Sequence, residues 1–271
     1  YVSTPIQAQG TIMGAVVVFK DVTERQLMER MKDEFVSVVS HELRTPLTSI
    51  RTALGMLTQG HLDTQPEKRQ RMVEIAFSNT NRLVRLINDI LDLERIKFGK
   101  TVMQKRSCTV ADLIQQSVDA MRAMAEKAEI TLTVNAIAAQ VWVDPDRIIQ
   151  TLTNLLSNAI KFSPQGSTVA VIAEVAPPSA QPPTEHEPEM IRIAVQDQGK
   201  GIPVDKLEAI FERFEQLDAS NAGHQGGTGL GLTICRSIVQ QNGGHIWAES
   251  TVGEGSTFYV TLPLSQIGSS P

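Results

Sequence analysis

ERQLMERMKDEFVSVVSHELRTPLTSIRTALGMLTQ, residues 24–59, has the apolar spacing of one long amphipathic helix. Apolar residues recur every three or four positions, at Leu27, Met31, Phe35, Val38 and Val39. A helix of this length exceeds the few turns usual in a globular domain, so the pattern predicts a coiled coil or a helical bundle. Asp21 or Thr23 is expected to cap its start, and Pro46 is expected to kink it.

A second helix is predicted after the turn at residues 60–66, from Glu67 to about Phe98, with Gly99 as its stop. It carries its own apolar stripe, made of Met72, Ile75, Ala76, Leu83, Leu86, Ile87, Ile90, Leu91 and Leu93. Two antiparallel helices cannot bury both stripes against each other alone. We therefore expect a homodimer through residues 24–100, in which the hairpins of two copies form a four-helix bundle.

Mixed α/β patterning follows Gly99. Helices are predicted at 110–129, 145–162, 203–214 and 229–241, and strands at 131–135, 140–143, 168–175, 191–196, 245–250 and 255–262. The segment 176–189 holds five prolines and predicts a disordered hairpin loop. The fold class expected is α+β, a helical hairpin followed by an α/β domain, with one further strand before it at Gly10–Phe19.

Composition narrows the functional classes. A net charge of −5 and a pI near 5.6 argue against nucleic acid as a partner, because such proteins usually present a basic surface. Two distant cysteines fit a reducing compartment without a cysteine-based metal site. No run approaches the ~20 apolar residues of a membrane span. Because the chain starts without Met and opens inside a predicted strand, we interpret it as a fragment. We expect the fragment to be cytoplasmic, with membrane contact possible only through a missing upstream part, so that the full-length protein is either soluble or membrane-anchored.

The segment His41-Glu42-Leu43-Arg44-Thr45-Pro46-Leu47 places polar residues beside an apolar seam, so His41 is expected on an outward face. Glu42 can accept a hydrogen bond from one ring nitrogen and leave the other as a nucleophile. Thr45, one turn on, shares the face of His41 and can orient a water molecule. A solvated polar face without chemistry remains the plainer alternative.

Four separated segments suit a nucleotide. Asn154, Asn158 and Lys161 share one face of a predicted helix, with amide oxygens for Mg²⁺ and an ammonium for phosphate. Asp197-Gln198-Gly199-Lys200-Gly201 follows a strand and offers a carboxylate to an exocyclic amine such as that of adenine. Gly226-Gly227-Thr228-Gly229-Leu230-Gly231-Leu232 precedes a helix, where backbone amides suit an anion. The last of them, Gly253-Glu254-Gly255-Ser256-Thr257-Phe258, links the closing strands and by its chemistry alone is a hairpin turn. Each alone is also explained by an ordinary amphipathic helix, a plain turn or a flexible loop.

Taken in order, these segments resemble the motifs of the sensor histidine kinases of two-component systems. Residues 41–47 look like the H box, 154–162 the N box, 197–201 the first glycine box, 211–214 the F box and 227–232 the second glycine box. The resemblance covers roughly Glu24 to Leu264. Two departures are Phe162, where many members have Tyr, and Gln216, where many have Arg.

The resemblance implies a dimerisation and phosphotransfer domain at 24–100, a catalytic Bergerat-type ATP-binding sandwich at 101–265 and a tail at 266–271. Residues 1–23 resemble the end of a PAS sensor domain and its linker. It also implies autophosphorylation of His41 from ATP and Mg²⁺, transfer to an aspartate of a response regulator receiver domain, and a phosphatase activity that uses Thr45. Glu42 would act as the orienting base, and Arg44 is implied as a further catalytic residue. Asn154 and Asn158 would bind Mg²⁺. The residues implied to bind the cofactor ATP are Asn154, Asn158, Lys161, Phe162, Asp197, Gly199, Gly201, Ile202, Phe214, Gly227, Thr228, Gly229, Leu230, Gly231, Leu232 and Thr257.

Two other interpretations of the function stay open. One is an ATP-binding dimerisation module that no longer phosphorylates and acts as a scaffold or a phosphatase. The other is an ATPase of the chaperone or gyrase type that shares the Bergerat fold. The His41–Glu42 pair on a preceding helical hairpin argues against both.

Overall fold

The computed structural model describes residues 2–8, 11–18, 20–59, 65–97, 103–176, 189–215 and 229–265. The chain divides into two compact units, Tyr1–Leu83 and Val84–Pro271, and the division falls within a helix. Among the described residues, no helix is long and apolar enough to cross a membrane.

The first unit opens with an antiparallel pair of strands, β1 (Val2–Ala8) and β2 (Thr11–Val18). Helix α1 (Thr23–Thr58) follows, and its N-cap is Val22, which makes no side-chain capping bond, so the predicted cap at Asp21 or Thr23 is wrong. The Asp21 carboxylate does accept a hydrogen bond from the Thr23 amide, at 2.8 Å. Pro46 lies inside α1 and is buried. The helix α2 (Pro66–Lys97) completes the predicted hairpin, and an ion pair described below joins it to α1.

The second unit is built on a five-stranded sheet with the order β4-β6-β7-β9-β8. Its strands are β4 (Thr131–Ala136), β6 (Thr168–Val175), β7 (Met190–Gln196), β8 (Ile246–Thr251) and β9 (Gly255–Pro263). Only β4 and β6 pair in parallel. A short strand, β3 (Arg106–Thr109), was not predicted from the sequence and pairs with β5 (Gln140–Val143) in a separate two-stranded sheet.

Among the described residues, the helical layer of this unit includes α3 (Val110–Lys127), α4 (Pro145–Phe162) and α5 (Gly231–Gln241). The central helix α4 packs on α3, on α5 and on β7, and its buried face includes Leu152, Leu155 and Leu156. Burial of these side chains is the main source of the unit's stability. The polar face of α4 is thereby left for other contacts.

The predicted helix at 203–214 is wrong. That segment forms two short 3₁₀ helices, Val204–Lys206 and Ala209–Phe211. The Phe211 carbonyl accepts a hydrogen bond from the Thr233 hydroxyl of α5 at 3.0 Å, and Glu212 is already extended. Packing of Ile210 and Phe211 in the core therefore overrides the helical periodicity. The proline-rich loop falls mostly on 177–188, outside the described residues, but its flanking strands β6 and β7 pair antiparallel as a hairpin requires.

The C-terminal part of α2 belongs to the second unit and is tied to α4. Asp92 contacts Arg147 at 3.0 Å through one carboxylate oxygen and accepts a hydrogen bond from Gln150 at 2.7 Å through the other. Arg147 also donates to Gln150 at 2.8 Å, so the three side chains form a closed network. Asp92 and Arg147 are both mostly buried.

Candidate active site

His41 lies in the middle of α1 with an exposed side chain, as the sequence predicts. The Thr45 hydroxyl donates to the His41 carbonyl oxygen at 3.2 Å, so Thr45 sits one turn along the same face. Arg44 and Thr45 are exposed as well. The imidazole is therefore accessible to a reactant in solution or in another domain.

Glu42 is engaged by a residue that the sequence argument missed. Its carboxylate forms an ion pair with the guanidinium of Arg82, on α2, at 3.0 Å. Both side chains are about four-fifths buried, with exposures of 21% and 20%. Among the described residues, no hydrogen bond joins Glu42 to the His41 ring. Arg82 therefore fixes the Glu42 carboxylate toward α2.

The polar face of α4 places Asn154, Asn158 and Lys161 as predicted, and all three are half-buried. The helix is well started, since Asp144 accepts a hydrogen bond from the Arg147 amide and Pro145 occupies its first turn. Because the opposite face of α4 is buried, this face is fixed toward the space beside α5.

Asn154 contacts α5 directly. Its Nδ2 lies 3.6 Å from the thiol sulfur of Cys235, which in turn lies 3.8 Å from the Thr151 carbonyl oxygen. A Cβ atom added to Gly231 would lie 2.6 Å from the same Nδ2, so the first turn of α5 has no room for a side chain there. Cys235 is 1% exposed, and burial raises the pKa of its thiol to about 12. The sequence argument did not single out Cys235.

Asp197 follows β7 and is 6% exposed. Its Oδ1 accepts hydrogen bonds from the Gly199 amide at 2.8 Å and the Ser256 amide at 3.2 Å. Burial raises the pKa of this carboxyl, and the two backbone donors oppose that rise in part. Ser256 was not a sequence candidate, and it shows that β9 helps to fix the carboxylate.

The first glycine box turns tightly against neighbouring backbone. Gly201 has a φ of +72°, and a Cβ there would lie 2.2 Å from the Thr251 carbonyl oxygen. A Cβ at Gly199 would lie 2.7 Å from the Phe162 carbonyl oxygen, at the end of α4. Ile202 is buried, and its amide donates to the Ser250 hydroxyl at 2.8 Å. Only glycine fits these two approaches, so the turn brings Asp197 and the end of α4 together.

Phe162, at the end of α4, is 44% exposed. The ammonium groups of Lys161 and Lys200 lie 4.6 and 5.5 Å from the centre of its ring. These distances are within the range of cation–π attraction. The ring therefore lies between two positive charges at the edge of the same region.

The second glycine box is described only from Gly229 onward, so Gly227 and Thr228 lie outside the described residues. Leu230 is buried, and α5 begins at Gly231 and continues through Leu232. The Phe214 amide donates to the Gly229 carbonyl oxygen at 2.8 Å, with Phe214 at a φ of +65°. Thr257 is half-buried in β9, paired with Gln196. The ends of the segment between Phe214 and Gly229 are thus held together.

Two family models match the chain. The His Kinase A (phospho-acceptor) domain matches residues 31–99, and the histidine kinase-, DNA gyrase B- and HSP90-like ATPase domain matches residues 143–266. Together they cover more than two thirds of the chain. The chain belongs to the sensor histidine kinases. The ATPase match makes the second unit an ATP-binding domain.

Related sensor histidine kinases align over nearly the whole chain. The sensor histidine kinase WalK of Bacillus subtilis (strain 168) is 35% identical over 258 residues, which are 95% of this chain and 41% of WalK. The chain thus spans about two fifths of that relative. A crystal structure of histidine kinase ThkA in complex with response regulator protein TrrA superposes with a TM-score of 0.65 at 25% identity, covering 97% of this chain and 74% of ThkA. Full-length ShkA in complex with AMPPNP gives a TM-score of 0.61 at 26% identity, covering 87% of this chain and 47% of ShkA.

Proposed function

We propose that this chain is a protein-histidine kinase that transfers the γ-phosphoryl group of ATP to His41 and then to an aspartate of a response regulator. The observation that carries the proposal is an exposed histidine on α1, one residue before an ion-paired glutamate, in a chain that also holds an ATPase domain. An ATPase that only hydrolyses ATP has no use for such a histidine.

In the first step, a neutral nitrogen of the His41 imidazole attacks the γ-phosphorus in line with the β–γ bridging oxygen. A nitrogen–phosphorus bond forms, the bond from the γ-phosphorus to that oxygen breaks, and its electron pair leaves with ADP. The imidazole becomes positively charged and then loses the proton of its other nitrogen. Glu42 would stabilise this charge, and its ion pair with Arg82 supports this role because it fixes the carboxylate.

In this proposal, the ATP-binding unit would hold the nucleotide from two sides. The Asp197 carboxylate, tied through Oδ1 to two backbone amides, would accept a hydrogen bond from the adenine amine through its other oxygen. Lys161 would meet the phosphates as a point charge, and the start of α5 would offer them backbone amides. Ile202, Phe162, Phe214 and Thr257 are further residues that we propose to contact ATP.

Asn154 and Asn158 fit a magnesium ion because both present half-buried amides on one face of α4. Within the described ranges, no three His, Cys, Asp or Glu side chains converge as a metal cage. This suits Mg²⁺, which usually takes few protein ligands and several from water and phosphate. Bound there, the ion would neutralise charge on the triphosphate.

The same proposal includes a homodimer and a phosphatase activity toward the response regulator. The helices of the first unit leave several apolar side chains exposed that a four-helix bundle would bury: Val36, Leu47, Leu54, Met56, Val73 and Phe77. The Thr45 hydroxyl, near His41, would orient water for removal of phosphate from the regulator. A receiver domain is the partner class suggested by the solved complex of ThkA with response regulator protein TrrA.

The test is incubation of the 271-residue chain with γ-labelled ATP and Mg²⁺, followed by acid and alkali treatment of the labelled protein. Phosphohistidine survives alkali and is lost in acid. We expect such a label in the wild type and in His245→Ala, which removes another exposed histidine, and none in His41→Ala, although His41→Ala still binds ATP. Label that persists in His41→Ala contradicts the assignment of the nucleophile. ATP turnover without label would favour the gyrase-type ATPase, and nucleotide binding without either would favour a non-phosphorylating module.

A further inference from the structure

The side-chain amide of Asn154 has two unlike ends. Its Oδ1 can bind a cation, whereas its Nδ2 carries only hydrogens to donate. An asparagine that serves Mg²⁺ must therefore be held with the oxygen toward the ion, because the flipped amide would repel it. The proposed function does not by itself explain what fixes this choice.

The buried thiol of Cys235 restricts the orientation of the Asn154 amide. Cys235 on α5 lies 3.6 Å from Asn154 Nδ2 and 3.8 Å from the Thr151 carbonyl oxygen. The carbonyl is only an acceptor, so the thiol must donate its proton there and accept, through its sulfur, from the Asn154 amide. The order Nδ2–H to sulfur and S–H to carbonyl allows one orientation of the amide.

The packing of α5 against α4 brings the buried Cys235 thiol close to the Asn154 amide. Gly231 and Cys235 are four residues apart on α5 and both meet the Asn154 side chain, one turn above the other. Cys235 is 1% exposed, so the contact between its thiol, the Asn154 amide and the Thr151 carbonyl is shielded from water on the side of α5.

We propose that Cys235 is a positioning residue that holds the Asn154 amide with its oxygen toward the metal ion of the bound nucleotide. This inference rests on the proposed function, since it assigns a second contact to a residue of that same site. Residues that orient metal ligands typically change metal affinity about 10-fold or more when they are removed.

The readout is the factor by which Mg²⁺ strengthens ADP binding, measured calorimetrically on the whole chain with Mg²⁺ and with a chelator. Cys235→Val keeps most of the side-chain volume but removes the acceptor. We expect it to lower this factor about 10-fold, with the affinity in chelator within about twofold. Cys235→Ser keeps a donor and an acceptor and should retain most of the factor. Ile238→Val, at another buried position of α5, is the matched control and should leave it unchanged.

A double-mutant cycle separates orientation from damage to the fold. Asn154→Asp has oxygen at both ends of the group, so its orientation no longer matters. Adding Cys235→Val to Asn154→Asp should therefore change the Mg²⁺ factor less than about twofold. The same loss in both backgrounds would show that Cys235 acts through general packing and would overturn the proposal.

Two further outcomes are decisive. If Cys235→Val retains the wild-type factor while Asn154→Ala loses it, Cys235 has no positioning role and the proposed function still stands. If Asn154→Ala also retains the factor, the metal role of Asn154 fails, and the inference fails with it. Neither result touches the labelling of His41, which tests the kinase activity separately.

Discussion

The guanidinium of Arg82 lies 3.0 Å from the carboxylate of Glu42, the residue that follows His41 in α1. The pair joins the two helices of the hairpin at the level of the proposed phosphoacceptor, and neither side chain is more than about a fifth exposed. The Glu42 carboxylate is thus fixed toward α2 and, among the described residues, makes no hydrogen bond to the His41 ring.

Replacing Arg82 by Gln should slow autophosphorylation about 10-fold, equivalent to ~1.4 kcal/mol in the barrier. The physical reason is that Glu42 loses the partner that fixes it beside the developing imidazolium. The measurement is the initial rate of acid-labile labelling at saturating ATP. ADP affinity should not change, because Arg82 belongs to the hairpin; an equal loss of nucleotide affinity would contradict this role.

Replacing Asp92 by Ala should destabilise the contact between α2 and α4. Arg147 would lose its anion in a mostly buried position, at a cost of about 1–2 kcal/mol. We expect faster amide hydrogen exchange in the last turns of α2 and a lower urea midpoint. Asp119→Ala is the matched control, since it breaks the well-exposed pair with Arg122 and should leave both measurements unchanged.

Asp197→Asn should stabilise the nucleotide-free protein at neutral pH and weaken ATP binding at least about 10-fold, because the charged acceptor for adenine is lost. Burial raises the pKa of Asp197, so the folded state favours its neutral form. The stability linked to protonation is therefore fully present below the ordinary value of 3.8 and is lost as the pH rises through the raised pKa.

Thermal melts of wild type and Asp197→Asn between pH 4 and 8 test the direction in which the stability difference between them changes with pH. The advantage of the variant should be largest at neutral pH and should shrink as the pH approaches 4. An advantage that grew on acidification would mean that the folded state holds the charged carboxylate more tightly than water does.

Gly201→Ala should destabilise the ATP-binding unit by about 2–4 kcal/mol, because the new Cβ meets the Thr251 carbonyl oxygen at 2.2 Å in a backbone with φ of +72°. Gly253 is a matched control. It has a φ of +88° but nothing within 4 Å of the added Cβ, so Gly253→Ala should cost only about 1 kcal/mol. Urea unfolding of both variants measures the difference, and equal losses would assign the effect to backbone strain alone.

Phe77→Glu should convert the proposed dimer to a monomer. Phe77 is 68% exposed on α2, and a charge there could not be buried between two hairpins. Light scattering at micromolar concentration gives the mass. Val204→Glu, at a position 77% exposed in the ATP-binding unit, should leave the mass of the wild type. A dimer that survives Phe77→Glu places its interface elsewhere.

Local rules predicted much of this structure. The bounds of α4 follow from a cap at Asp144, a proline in the first turn and a steady apolar face, and all three act over a few residues. The strand β3 was missed because four residues carry little periodicity, and it is held by pairing with β5 more than thirty residues away. The 203–214 segment has helical spacing, yet its carbonyl at Phe211 is taken by α5, a contact no local pattern contains.

In the candidate site, too, local sequence patterns predicted some residues and missed those whose role depends on contacts between distant segments. His41 and the asparagines of α4 were picked out because their segments, although each is weak alone, follow one another in the order of the sensor histidine kinase motifs. Arg82 was missed, although a signal existed: residues 42 and 82 are equidistant from residue 62, which lies in the predicted turn, so an antiparallel hairpin sets them opposite each other. Cys235 was missed because its role depends on the approach of two helices, and its spacing from Gly231 gains meaning only once α5 lies against Asn154.

The position of β9 in the sheet determines when the ATP-binding unit can fold during synthesis of the chain. β9 lies between β7 and β8 and is hydrogen-bonded along both edges, although it is the last described strand to leave the ribosome. The ATP-binding unit cannot close its sheet until residues 255–263 have emerged, whereas α1 and α2 emerge much earlier. A nascent chain therefore presents the hairpin that carries His41 before the unit that would phosphorylate it is complete.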